Sequence, residues 1–229
     1  MTRVMPAPTR SQHHEIGAPT WRYADRREGG HRLAAALASY AHKPGVVVLA
    51  LPRGGVPVGY EVARALEAPL DVFMVRKLGF PGHPELAMGA IASGGSYVLN
   101  EDLVRRSGVS QEVLAQVAER ELEEIERREH EYRGVRPALD PRGLEVILVD
   151  DGLATGATMR AAILALRQQS PARVVVAIPV AAPDSCEELG EVADEVVCPV
   201  RPRRLRAIGL WYEDFAQITD AQVRDFLTA

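Results

Sequence analysis

Val146-Ile147-Leu148-Val149-Asp150-Asp151-Gly152-Leu153-Ala154-Thr155-Gly156-Ala157-Thr158 decides the fold. Four apolar residues, three of them β-branched, read as a strand buried on both faces, the mark of a parallel sheet. Two adjacent carboxylates end it. A turn of small residues with two hydroxyls follows, and a helix begins at Gly156. The first amides of a helix have no partner within it. With the helix dipole and the Thr155 and Thr158 hydroxyls, they make a cradle for a phosphate. Asp150 and Asp151 would repel that phosphate unless they face something else. Ribose hydroxyls suit them, and a Mg²⁺ ion can help neutralise the site. No Gly-Lys-Ser/Thr follows the glycine, so this is not a Walker-type loop.

Working outward, the same alternation recurs on both sides. Downstream, the pattern predicts a helix over Gly156 to Gln168, a strand over Arg173 to Val180, a short helix over Pro183 to Leu189 and a strand over Glu195 to Cys198. Upstream, Val46 to Leu51 is a second continuous apolar run. The short loop Pro52-Arg53-Gly54-Gly55 follows it, and Pro57 suits the first turn of the next helix. Asp71 to Val75 reads as a strand. Gly79, Pro81, Gly82 and Pro84 predict a loop over 78–89, and Gly94-Gly95 a hairpin between Ala90-Ile91 and Tyr97-Val98-Leu99. Gln111 to Arg133 is the longest helix expected, capped by Ser110 and ended by Gly134, with i,i+4 pairs Glu123–Arg127, Glu124–Arg128 and Glu129–Arg133. Strand-helix alternation of this kind predicts an α/β fold: a mainly parallel twisted sheet flanked by helices. Ligands in such sheets bind at the carboxyl ends of the strands.

The chain has 229 residues, of which 27 are Lys or Arg and 31 Asp or Glu, a net charge of −4. That length suits one domain, with about 70% of the unfolded surface buried. Residues 1–20 read as a disordered tail with no secretory pattern, where the His13-His14 pair is read as solvated. Residues 21–229 form a single domain, its core about 44–200 and a small hood supplied by the flanking segments. Two cysteines, Cys186 and Cys198, stand in no metal-like spacing and suit a reduced, cytoplasmic protein. No run of residues is long and apolar enough for a membrane span. The acidic total argues against a nucleic-acid partner. It is also confined: helix 111–133 holds eight Glu and four Arg, so the remaining charges balance at 23 of each sign.

Residues 146–158 closely resemble the phosphoribosyl pyrophosphate (PRPP) motif of the type I phosphoribosyltransferases, an apolar strand, two acidic residues and a small-residue loop ending Thr-Gly-x-Thr. Leu51-Pro52-Arg53-Gly54-Gly55 is similar to the short loop by which these enzymes bind diphosphate, often through a cis peptide. Arg76-Lys77 before loop 78–89 looks like the arrangement in orotate phosphoribosyltransferases, where a Lys touches the diphosphate and a mobile loop closes. Lys77 is one of only two lysines among 27 basic residues. Trp21-Arg22-Tyr23-Ala24-Asp25-Arg26 resembles a bacterial group described only as predicted phosphoribosyltransferases.

The resemblance implies a homodimer that takes PRPP, with Mg²⁺, and a base acceptor. The 5-phosphate would lie on Ala154, Thr155, Gly156, Ala157 and Thr158, and the ribose hydroxyls and metal on Asp150 and Asp151. The diphosphate would lie on Arg53, Gly54, Gly55, Arg76 and Lys77. Of these, Arg53, Lys77, Asp150 and Asp151 would carry the catalysis, with His83 and Glu85 as candidates for proton transfer. Hypoxanthine-guanine members carry an acidic residue where this chain has Ala154, which counts against a 6-oxopurine acceptor. The hood segment Arg206 to Phe215 brings Trp211, Tyr212 and Phe215, either to stack on a base or to pack the C-terminal helix. Arg201, Arg203, Arg204 and Arg206 precede them and would suit an acidic acceptor or a neighbouring subunit. The alternative is a non-catalytic PRPP- or nucleotide-binding regulatory module of the same fold.

Overall fold

The computed structural model describes residues 21–229; the expected tail, with His13 and His14, lies outside them. Helix α1 (Arg26–Ala36) starts at Asp25, whose carboxylate accepts the Glu28 amide. Strand β1 (Val46–Ala50), helix α2 (Gly55–Leu66) and strand β2 (Leu70–Val72) follow. Strands β3 (Val75–Phe80), β4 (His83–Ala92) and β5 (Tyr97–Leu99) lead to helices α3 (Glu101–Ser107) and α4 (Gln111–Arg133). The chain closes with β6 (Glu145–Val149), α5 (Ala157–Arg167), β7 (Arg173–Ala177), α6 (Pro183–Gly190), β8 (Glu195–Val197) and α7 (Asp220–Thr228).

Five strands form one parallel sheet in the order β2-β1-β6-β7-β8. From β1 the chain moves outward to β2. From β6 it moves the other way, to β7 and β8. The loops that leave β1 and β6 therefore diverge, and the crevice between them is the topological switch point where open α/β sheets bind ligands. The strands alternate their side chains between two apolar layers. Val46, Val48, Ile147 and Val149 pack with Leu33 of α1, with Leu37 just after it, and with Val58 and Val62 of α2. Val47, Leu49, Val146 and Leu148 pack with Met159, Ile163 and Leu166 of α5 and with Cys186 and Leu189 of α6. Both cysteines are buried free thiols. The expected mainly parallel sheet with helices on both faces is what the chain forms.

The region read as a loop over 78–89 is instead the turn and arms of an antiparallel hairpin, β3 against β4, extended by β5 into a three-stranded sheet. The residues that argued for a loop are absorbed at places that tolerate them. Pro81 and Gly82 form the exposed tip, with Gly82 at φ +80°. Gly79 sits where the register shifts, as at a bulge. Pro84 follows the first pair of β4, near a strand start, where a missing N–H costs little. The strand read as Asp71 to Val75 is likewise divided between β2 and β3. The hairpin expected around Gly94-Gly95 is present as β4–β5. Helix α3 has a signal not read from the sequence: Asn100 accepts the Leu103 amide as its cap.

Helix α4 has the expected bounds and the expected Ser110 cap. Its ion pairs differ at one position: Arg127 joins Glu124 and Glu131 rather than Glu123. It lies on the second sheet and on α7 through Ile125, Tyr132, Val223 and Leu227. At its last turn Arg133 reaches Asp71 of β2 at 2.7 Å, with both side chains at most 7% exposed.

Candidate active site

The loop after β1 folds tightly onto the loop after β6. The Leu51 amide donates to Val149 O at 2.8 Å, and the Gly55 amide to Leu51 O at 3.0 Å. The peptide between Pro52 and Arg53 is cis. Neither glycine has room for a side chain. A Cβ on Gly54 would stand 2.1 Å from the Asp151 carboxylate oxygen Oδ2. One on Gly55 would stand 2.7 Å from Val149 O and 3.0 Å from Asp150 Cα. The two glycines thus let the loops touch, and their backbone lies directly beside the two carboxylates. Gly55→Ala is expected to destabilise the fold by about 1–3 kcal/mol, as overpacking does, because the clash is with backbone. A melting temperature unchanged from wild type would contradict this contact.

Asp150 and Asp151 have different surroundings. Asp150 is half-buried, and its Oδ1 accepts the Asp151 amide at 2.8 Å. Burial, reinforced by the Asp151 charge, pushes the Asp150 carboxyl well above the ordinary carboxylate range. Asp151 is more enclosed, and burial raises it too, against the opposing pull of Arg26. The Arg26 Nε donates to Asp151 Oδ2 at 2.8 Å. One guanidinium therefore serves two adjacent carboxylates, and it is bonded to Asp151 alone.

The rest of the motif forms an open cradle. Leu153 is pinned to the end of β7 by its amide on Val180 O at 3.0 Å. Ser185 of α6 donates to Ala154 O at 2.8 Å. Gly156 takes φ +68° and caps α5 without a side-chain bond. Ala154, Thr155, Ala157 and Thr158 are all exposed around it, so the first amides of α5 face outward beside two hydroxyls. Unpaired helix N–H groups in such a place suit an anion.

The basic residues divide. Arg53 is half-buried beside the crevice, its Nη1 3.9 Å from Asp220 of α7. Arg76 and Lys77 follow each other on β3, and both border a cavity of about 740 Å³ against α4. Arg76 pairs with Glu121 of α4 at 2.6 Å. Lys77 lines a cavity of about 550 Å³ together with Ala157 and Thr158. The structure brings Gly54, Gly55, Asp150 and Asp151 together, with Arg53 in the same loop; Lys77 stands beside the start of α5, and Arg76 is committed to α4. Among the described residues no group of three or more His, Cys, Asp and Glu could hold a metal ion. A Mg²⁺ ion suits this site when it arrives with substrate oxygens, since it needs only one or two protein carboxylates.

The hood is built from both ends of the domain. Tyr23 and Tyr212 are buried and packed with Val180, Trp21, Ile208, Trp211 and Phe215. Tyr212 and Phe215 stack on each other at 5.0 Å between ring centres, so packing uses these two rings. Ile208 lies over Gly152, where a Cβ would come within 2.4 Å of its Cγ2. The sequence named Tyr212 and the segment holding Ile208 as hood, but the roles of Arg26 and Ser185 at the site were not found from it. For Arg26 the hint was the Trp21–Arg26 segment, and it came from resemblance.

A helix N-terminus, a carboxylate pair and a glycine loop thus meet at the switch point of the sheet. A model of the phosphoribosyl transferase domain matches residues 26–204, and the chain belongs to that family. A protein of Mycobacterium tuberculosis, provisionally named a phosphoribosyl transferase, is 44% identical over 205 residues, 90% of this chain and 46% of its own length. The chain thus spans about half the length of the curated relatives it matches. The crystal structure of a Thermus thermophilus protein superposes with a TM-score of 0.79 at 46% identity, over 90% of this chain and 97% of that one. No helix among the described residues is long and apolar enough to cross a membrane.

Proposed function

We propose that this chain binds PRPP and transfers its 5-phosphoribosyl group to a nitrogenous base or related acceptor, releasing diphosphate. The observation that carries the reading is the contact of Gly54 and Gly55 with Asp151 and Asp150. It supports the reading because backbone amides suited to a diphosphate lie directly beside carboxylates suited to a ribose diol. The 5-phosphate lies on the α5 cradle. The diphosphate lies on the Arg53–Gly55 loop, with Lys77 above it. Asp150 and Asp151 would hold a Mg²⁺ ion brought with the substrate, and it would supply positive charge at the leaving group. The C1–O bond to diphosphate breaks, a C1–N bond forms and the acceptor nitrogen gives up a proton. The chain's residues contribute by positioning and by offsetting charge. The hairpin β3–β4, in place of a long loop, carries Lys77 over the site. Two buried free thiols suit a reducing cytoplasm.

The test is incubation with PRPP, Mg²⁺ and a panel of bases, followed by measurement of diphosphate release. Release that depends on one base is the expected outcome. PRPP binding without turnover on any acceptor would favour the regulatory module, and absence of PRPP binding would refute both.

A further inference from the structure

Arg26 is the first residue of α1, where a cation opposes the helix dipole, yet it is only 8% exposed. Its partners all lie far along the chain. Nε donates to Asp151, Nη1 donates to Ala216 O at 2.8 Å, and the guanidinium lies 3.8 Å from the centre of the Phe215 ring. Asp151 is also gripped from its backbone: the Tyr212 hydroxyl donates to Asp151 O at 2.6 Å. Burial raises the Tyr212 phenol well above its ordinary range, so it stays a donor. The two terminal segments are tied to each other as well. The Tyr23 amide donates to Trp211 O at 2.9 Å, the Glu213 amide to Tyr23 O at 2.8 Å and the Asp214 amide to Ala24 O at 2.9 Å. They form a strap, residues 21–26 against 211–216, that closes on a single residue of the candidate sugar site.

We propose that Arg26 is a positioning residue that couples this strap to the sugar-binding carboxylate. It holds Asp151 Oδ2, leaving Oδ1 for a ribose hydroxyl, and it carries the state of that carboxylate into the hood through Ala216 and Phe215. The inference rests on the phosphoribosyl transfer reading for its ligand. The coupling itself is testable without one. Both tryptophans of the chain, Trp21 and Trp211, lie in the strap, so intrinsic fluorescence reports on it directly.

In the unliganded protein, Asp151→Asn is expected to increase acrylamide quenching of the tryptophans at least 1.5-fold, because Arg26 loses its ionic partner. Unchanged quenching would overturn the coupling whatever the ligand. With Mg²⁺ and PRPP, tryptophan emission of the wild type should shift with the midpoint measured by calorimetry. Arg26→Gln should weaken PRPP at least 10-fold and abolish the shift, and Arg26→Lys should recover part of the affinity. Arg26→Gln added to Asp151→Asn should weaken binding no further. Phe215→Leu, a milder change, should reduce the emission shift if Arg26→Gln does not fold. PRPP binding to wild type and Arg26→Gln with equal affinity would refute the positioning role alone. Absence of calorimetric binding to wild type, with the quenching effect of Asp151→Asn present, would refute the PRPP reading and leave the coupling standing.

Discussion

Asp150→Asn is expected to weaken PRPP binding about 10- to 100-fold and to raise the melting temperature of the unliganded protein by about 2–4 °C. The two effects have one cause. Asp150 sits beside a second carboxylate, and Arg26, the cation bonded to the pair among the described residues, is spent on Asp151. Burial and the neighbouring charge raise its folded-state pKa. A carboxyl raised on folding contributes stability at low pH, and that contribution is lost as the pH rises through the folded value. At neutral pH the charged form is therefore a cost, of the size that active sites commonly carry, about 0.5–2 kcal/mol. Asn keeps the acceptor for the Asp151 amide and removes the charge. The gain should shrink as the pH falls toward the unfolded carboxyl value of about 3.9. Ligand binding moves the opposite way, because a ribose diol donates more strongly to a carboxylate than to an amide. Thermal melts at several pH values, with calorimetric titration of PRPP, check both. A lower melting temperature at neutral pH, or an unchanged dissociation constant, would contradict the assignment.

Arg133→Met is expected to cost about 3 kcal/mol, the low end for breaking a buried ion pair, and so to lower the melting temperature by about 6–12 °C. Arg133 donates to both Asp71 oxygens, at 2.7 and 2.9 Å, and to Val72 O at 3.1 Å. It also meets Glu129 at 3.0 Å. Without it Asp71, 2% exposed, keeps the amides of Val72 and Leu139 and a longer contact with Arg136 at 3.5 Å. Those partners place the cost at the low end. Adding Asp71→Asn removes the stranded charge and should recover more than half of the loss. Chemical denaturation of the single and double variants measures this. Equal stability of wild type and Arg133→Met would mean that the pair does not hold α4 to the sheet edge.

The parallel sheet was legible because its signals are local. An apolar, β-branched run such as 46–51 or 146–149 has few ways to be buried, and alternation with helices leaves a parallel sheet as the solution. The carboxylate pair and the Thr155 to Thr158 turn were legible because contiguous residues build them. Helix 111–133 showed its cap, its stop and its stripe in its own residues. The hairpin β3–β4 was missed because glycine and proline signal a break without saying what surrounds it. Pairing with β5, burial of Leu78, Met88 and Ile91 and packing against α4 outweighed the local signal.

Sequence alone therefore determined the layer architecture and the residues of the two loops, since each depends on neighbours within a few positions. Tertiary structure decided how the loops meet and what charge the site carries. That Gly54 touches Asp151, that Arg76 turns to Glu121 while Lys77 shares a cavity with Thr158, and that Arg26 comes from 125 residues away to bond one of two carboxylates are all long-range placements. The electrostatics of a site is a sum over everything folded around it, and no local pattern in a chain encodes that sum.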